Sequence, residues 1–234
     1  VVPAAARVGS VRRVSISGRV WCAVNALVVV VALAIQIPIT AAAAGGDFDT
    51  PAARVANLFT FFTVLTNVLV AGTSTALAVA PHSRSRLLAV LRLDAVLGIA
   101  VTAAVYHGVL AGLVERRGAE EVANQLFHTA SPALALLGWA LFGPRGLVDR
   151  RVVALSLVYP VVWLVLTLVR GALIGWYPYP FVDVAALGYP QVALNCLLVT
   201  LLFLVLAAAA LRLDRVLGAR AGERRPPPAA RIGP

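Results

Sequence analysis

Charge is scarce in this chain, and lysine is absent. Only 13% of its 234 residues are charged, and all 20 basic residues are arginine. That scarcity excludes an ordinary water-soluble domain, in which about a quarter of residues carry charge. Cysteine is nearly absent too. Cys22 and Cys196 fall in separate apolar runs near opposite ends of the expected bundle, so a disulfide between them is excluded and no zinc or redox motif is present. With two histidines at the depth of interest and no nearby carboxylates, neither a metal nor an organic cofactor is implied. Arginine used to the exclusion of lysine, together with abundant Ala and Val, suggests a GC-rich bacterial genome.

What the chain has is apolar length. It is 61% hydrophobic, and its mean hydropathy is +0.91. A spanning helix needs about 20 mostly apolar residues. Six runs qualify: Val20–Ala41, Leu58–Ala80, Leu87–Leu113, Leu126–Phe142, Val152–Ile174 and Pro190–Leu211. The sequence therefore predicts an all-α, polytopic integral membrane protein with six transmembrane helices. Residues 1–217 form one membrane domain, opened by a basic segment over 1–19. The Arg- and Pro-rich stretch 218–234 reads as a disordered tail.

Charge falls unevenly on the connections. The N-terminus (Arg7, Arg12, Arg13, Arg19), the second-to-third link (Arg84, Arg86, Arg92), the fourth-to-fifth link (Arg145, Arg150, Arg151) and the tail hold most of the arginines. The remaining connections hold Arg54, Arg116, Arg117 and Arg170 against Asp47, Asp49, Glu115, Glu120, Glu121 and Asp183. The positive-inside rule then puts both termini in the cytoplasm, with the chain in the cytoplasmic membrane. The basic excess is a topology signal that meets anionic lipid. No nucleic-acid-binding fold accompanies it. The first apolar run is longer than the roughly 7–15 residues of a signal peptide and reads as an uncleaved helix. Gly108/Gly112 and Gly171/Gly175 have the spacing of close helix packing. Arg92 and Asp94 read as an interface ion pair. There are no heptads or internal repeats to set an oligomeric state.

The topology gives each polar residue a depth. Thr60, Thr63 and Asn67 share a stripe on the second span, with Thr66 beside it. His107, His128, Asn124, Arg170 and Asn195 fall at the same outer level on four other spans, and the opposite halves read as almost purely Ala, Val and Leu. Ionisable groups inside a membrane are functional candidates by default. A threonine hydroxyl becomes a nucleophile when a base takes its proton, and a neutral imidazole is such a base. His128 is the first choice and His107 the alternative. Asn67, Asn124, Asn195 or Arg170 are candidate donors to an oxyanion. The plain alternative is that the threonines bond their own helix carbonyls while polar side chains merely join helices. The last outer connection, Gly175–Asp183, has Trp and Tyr suited to headgroup level. It reads either as an aromatic belt or as a cap over a polar pocket.

Phe61–Asn67, Thr102–His107, His128–Pro132 and the run from Tyr159-Pro160 through Arg170-Gly171 to Gly175–Asp183 resemble the bacterial Pr6Pr family of membrane proteins, over nearly the whole chain. A more distant likeness is to the animal androgen-induced-gene and androgen-dependent tissue-factor-pathway-inhibitor-regulating proteins. Those are multi-span hydrolases of fatty acid esters of hydroxy fatty acids that use a threonine and a histidine. The likeness lies in Phe62-Thr63, in Asn124 four before His128-Thr129, and in Gly175, Tyr179-Pro180-Phe181 and Asp183. It departs at Thr66-Asn67, where that family has an acid, and at the offset of Pro132. It implies Thr63 as nucleophile and His128 as base, in a hydrolase of lipid (fatty acyl) esters. Asn67, His107, Asn124, Arg170, Tyr179, Asp183 and Asn195 are then candidates to contact substrate. The expected partners are membrane lipids and a lipid-like small molecule. The alternatives are a lipid or small-amphiphile binder or transporter, and a structural membrane component.

Overall fold

The computed structural model describes residues 14–81 and 85–223. Residues 1–13 of the expected basic segment 1–19, Arg84, and residues 224–234 of the expected tail 218–234 lie outside the described residues, and α1 already begins at Ile16, inside that segment. Described elements are helical, in the order α1 (Ile16–Ala42), α2 (Pro51–Leu58), α3 (Phe62–Val79), α4 (Arg86–Val105), a π-helical turn (Tyr106–Leu110), α5 (Ala119–Gln125), a second π-helical turn (Leu126–Ala130), α6 (Ser131–Phe142), α7 (Arg150–Ser156), α8 (Val158–Ile174), a 3-10 turn (Pro180–Val182) and α9 (Val184–Glu223).

Five helical stretches are long and apolar enough to cross a membrane: Ile16–Ala42, Phe62–Val79, Arg86–Leu110, Arg150–Ile174 and Val184–Ala219. The expected span Leu126–Phe142 is part of a longer helical run from Ala119 to Phe142, which the π-turn divides into pieces of seven, five and twelve residues. Contacts pair opposite helix ends. Arg19 Nε donates to the Ala78 carbonyl at 2.7 Å, and Trp21 Nε1 to the Leu134 carbonyl at 2.8 Å. The first joins the start of α1 to the end of α3, the second to the first turn of α6, and the Trp21 ring also lies 5.4 Å from that of Phe142 at the end of α6. Helices in lipid gain nothing from hiding apolar surface from one another, so such bonds and close packing hold them, each bond contributing about 0.6 kcal/mol.

α4 is the central helix. Its apolar window is 50% buried, whereas those of α1, α7–α8 and α9 are 17% buried. Leu93, Leu97 and Ile99 are fully covered. Gly98 lets α3 approach, because a Cβ there would meet Thr66 Cγ2 at 2.8 Å.

Several expectations are corrected. The second span does not begin at Leu58: α2 ends there, and a turn over 59–61 precedes α3. Thr60 Oγ1 donates to the Asn57 carbonyl at 2.7 Å, a local bond that competes with continuing the helix. Span five keeps its extent, as Arg150–Ile174, but lacks a backbone bond at its Leu157 junction because Pro160 has no N–H for the Ser156 carbonyl. The last helix starts at Val184, turns at Gly188 (φ 75°) two residues before Pro190, and continues through Gly218 to Glu223, past the expected start of the tail. The spaced glycines are not helix-packing pairs: space around Gly108 and Gly112 is open, and Gly171 receives the ring of Tyr177.

Arg92 and Asp94 form no ion pair. Two residues apart on a helix, they point to different sides. Arg92 Nη1 donates to the Pro144 carbonyl at 3.3 Å, while Asp94 is buried with Oδ1 unpartnered. Nor is the arginine-rich half purely apolar: Asn25, Thr73, Ser74 and Arg92 are buried around a small cavity of about 30 Å³.

Candidate functional site

Thr63 is the second residue of α3. The helix begins there because Phe61 is extended (φ −70°, ψ 132°), but Phe61 provides no side-chain cap. The first N–H groups of a helix need partners from outside it. Tyr179, more than a hundred residues on, supplies one: the Thr63 N–H donates to Tyr179 Oη at 3.1 Å. The same phenolic oxygen is 3.2 Å from Thr63 Oγ1. The Tyr179 ring is held edge-on by Phe61 and stacked by Phe181, with centroids 5.6 and 5.2 Å away. Burial pushes the phenol up from the ordinary tyrosine range, and its bonds with Thr63 pull less strongly the other way.

On the other side of Thr63 stands His128. Its Nε2 is 3.4 Å from Thr63 Oγ1, a long hydrogen bond of the kind resting catalytic pairs commonly show. Its Nδ1 is 2.9 Å from the Asn124 carbonyl. A carbonyl only accepts, so Nδ1 carries the proton and Nε2 offers its lone pair to the threonine hydroxyl. Tyr106 stacks on the imidazole at 4.1 Å and 23°, and Tyr106 Oη accepts from Asn124 Nδ2 at 2.6 Å. The bonds therefore run in one direction: Tyr179 O–H to Thr63 Oγ1, Thr63 O–H to His128 Nε2, His128 Nδ1–H to Asn124.

The π-turn explains how α3 and the histidine-bearing helix are locked together. Ser131 N–H donates to the Leu126 carbonyl, five residues back. The Phe127 carbonyl loses that donor, and Pro132 has no N–H to offer in its place. Asn67 Nδ2 fills the gap at 3.2 Å and also bonds the Thr63 carbonyl at 2.9 Å. Such turns recur at functional sites.

Beside Thr63 lies a cavity of about 130 Å³. Its wall is aliphatic and aromatic, from Val101, Leu110, Leu157, Trp163 and Phe203 among others, with Thr63, Tyr179, Thr102 and Thr200 among its polar members. His128 is not on that wall, so the imidazole stands behind the hydroxyl and the cavity in front. Val161 and Thr200 line the cavity and are exposed, which opens it sideways between α8 and α9.

Of the residues read from sequence as substrate contacts, only Tyr179 lines this cavity. Asn67 and Asn124 hold the pair in place. Arg170 donates to Asn57 Oδ1 at 2.8 Å and lies over the Trp176 ring at 5.0 Å. Asp183 caps α9 by accepting from the Ala186 N–H at 3.1 Å, and Asn195 Nδ2 donates to the Phe181 carbonyl at 2.9 Å. Both pin the loop that delivers Tyr179. His107 bonds Thr129 Oγ1 at 3.2 Å rather than Thr63. Thr66 turns to Tyr159 Oη at 3.1 Å. The sequence reading missed Tyr106 and Tyr159, whose hydroxyls sit in helices and gave no separate signal. Among the described residues, no three His, Cys, Asp or Glu side chains group to hold a metal.

The fold and site define a multi-pass helical membrane protein in which buried Thr63 and Tyr179 and half-buried His128 cluster at the edge of an apolar cavity. No family model, curated protein or solved structure matches the chain.

Proposed function

We propose that the protein is a lipid ester hydrolase in which Thr63 is the nucleophile and His128 the general base. The observation that carries this reading is the 3.4 Å approach of Thr63 Oγ1 to the unprotonated nitrogen of a neutral imidazole, with an apolar cavity on the open side of the hydroxyl. His128 takes the hydroxyl proton as Thr63 attacks, then returns it to the leaving alkoxide. The substrate is a fatty acyl ester whose chain lies in the cavity, reached from the bilayer between α8 and α9.

The same proposal includes Ala119–Phe142 as a sixth span, completing an even number of crossings with both termini in the cytoplasm of a bacterial cell. The cluster then lies just below the extracytoplasmic headgroups, at the depth of lipid ester carbonyls. The distant resemblance to animal Thr/His hydrolases supports the pairing.

A fluorophosphonate or activated-ester probe on the purified protein tests this. Labelling at Thr63, lost in Thr63→Ala and His128→Ala, is the expected result. Unchanged ester turnover in either folded variant overturns it. A binder of lipid or another amphiphile is favoured by the nearly apolar cavity wall. It predicts ligand-dependent stabilisation that survives Thr63→Ala, with no labelling.

A further inference from the structure

We propose that Tyr179 is a catalytic residue whose phenolic O–H stabilises the oxyanion formed when Thr63 adds to an ester carbonyl. This rests on the hydrolase reading above and assigns the donor that reading lacks.

Four observations converge on Tyr179. Its Oη is 3.2 Å from the attacking oxygen, and both residues line the cavity, whereas His128 does not. A carbonyl group arriving from the cavity therefore meets hydroxyl and phenol side by side, with the base behind.

The surrounding bonds orient the phenolic proton. Tyr179 Oη accepts the Thr63 N–H, and Thr63 O–H is committed to His128 Nε2. The phenol's own hydrogen is left to point at Thr63 Oγ1, next to where the substrate's carbonyl oxygen becomes the oxyanion. A small rotation about the C–O bond transfers it from Oγ1 to the new anion.

The α3 N-terminus also strengthens this donor. Its first turn has no side-chain cap from Phe61 and is capped instead by Tyr179 Oη. The partial positive charge of the helix start is thus coupled through the phenol to the reacting atoms. Burial keeps the phenol protonated, so the donor persists at alkaline pH.

Every other donor suggested by the sequence is committed elsewhere. Asn67 Nδ2 bonds two carbonyls, Asn124 Nδ2 bonds Tyr106 and Glu121, Asn195 Nδ2 bonds Phe181, and Arg170 bonds Asn57. On the cavity wall Thr200 Oγ1 donates to the Cys196 carbonyl at 2.8 Å, which leaves as competitor Thr102, buried with Oγ1 unpartnered.

The step balances without a co-reactant. Thr63 Oγ1 bonds the carbonyl carbon as its proton passes to His128 Nε2, and the carbonyl π pair becomes the oxyanion held by Tyr179 O–H. Collapse restores the carbonyl and breaks the bond to the alkoxide, which takes the proton from His128. Water, deprotonated by His128, then adds to the acyl-threonine through a second oxyanion at the same donor. That intermediate expels Thr63 Oγ1, which regains its proton from His128 and releases the free acid.

The test uses full-length protein in detergent with a p-nitrophenyl acyl ester, following the acylation rate. Removing one oxyanion donor costs about 10²–10³-fold in rate. Tyr179→Phe is expected to lose kcat on that scale with KM little changed. Because Tyr179→Phe also uncaps α3, its melting temperature is measured alongside. Should it not fold, difluorotyrosine at position 179 decides: its stronger O–H donor is expected to speed acylation at neutral pH, and an unchanged rate overturns the proposal. Wild-type acylation by folded Tyr179→Phe, or a slow Thr102→Val beside a fast Tyr179→Phe, also overturns it while leaving the hydrolase reading intact. Absence of acylation in the wild type overturns both.

Discussion

The side-chain amide of Asn67 bonds the carbonyls of Thr63 and Phe127, so one fully buried residue ties the first turn of α3 to the π-turn that presents His128. Neither carbonyl belongs to a reacting side chain, yet each is on or next to a residue whose position decides whether hydroxyl and imidazole meet. Asn67→Ala leaves the Phe127 carbonyl buried without a donor, at a cost of about 1–3 kcal/mol. We expect a lower melting temperature in detergent and a loss in kcat larger than the change in KM. Wild-type turnover in Asn67→Ala would show that the pair is positioned by other contacts.

Gly98 sets the distance between α3 and α4. A methyl group there runs into Thr66, and overpacking of this kind costs about 1–3 kcal/mol. Gly98→Ala should therefore destabilise the protein and weaken probe labelling of Thr63. Thr66→Ser removes the clashing Cγ2, so the double variant should recover part of both losses. Purely additive losses in the double variant would contradict this contact.

Tyr179 gives the fold an alkaline limit. Its folded pKa is raised above the ordinary value of 10.0 by burial, so the unfolded chain ionises first. The stabilisation is fully present below that value and is lost as pH rises through the folded pKa. Thermal melts at rising pH should show stability falling above pH 10, with a shallower fall in Tyr179→Phe. Equal slopes in the two proteins would remove Tyr179 as the cause.

Orientation is tested from the connections. With Cys22 and Cys196 replaced by Ser, Ala119→Cys should react with an impermeant maleimide on intact bacterial cells. Arg150→Cys should react only after permeabilisation. Reaction of both from outside would refute the six-span arrangement.

The apolar runs and the arginine asymmetry were readable because lipid tolerates so few sequences: backbone polar groups must bond within helices, and charge must stay near the ends. Helix type and the Thr–His stripe were legible for the same reason. Boundaries were not. The break before α3 depends on Thr60 bonding Asn57, and the turn of α9 on Gly188 adopting positive φ, both indistinguishable by hydropathy from a continuous run. The polar cluster around Arg92 went unseen because its members are single residues scattered over three helices.

From sequence alone came an all-helical membrane protein and the pairing of a threonine stripe with His128, since spacing along a helix fixes both face and depth. Tertiary structure alone decided which polar side chains meet at the cavity and which hold helices and loops. Arg170, Asp183 and Asn195 became loop anchors, Asn67 became a brace, and Tyr179 reached Thr63 across 116 residues of chain. The physical reason is that a hydrogen-bonding group has few partners to give. Which partner it takes depends on where packing brings the other helices, and helical periodicity carries no information about that.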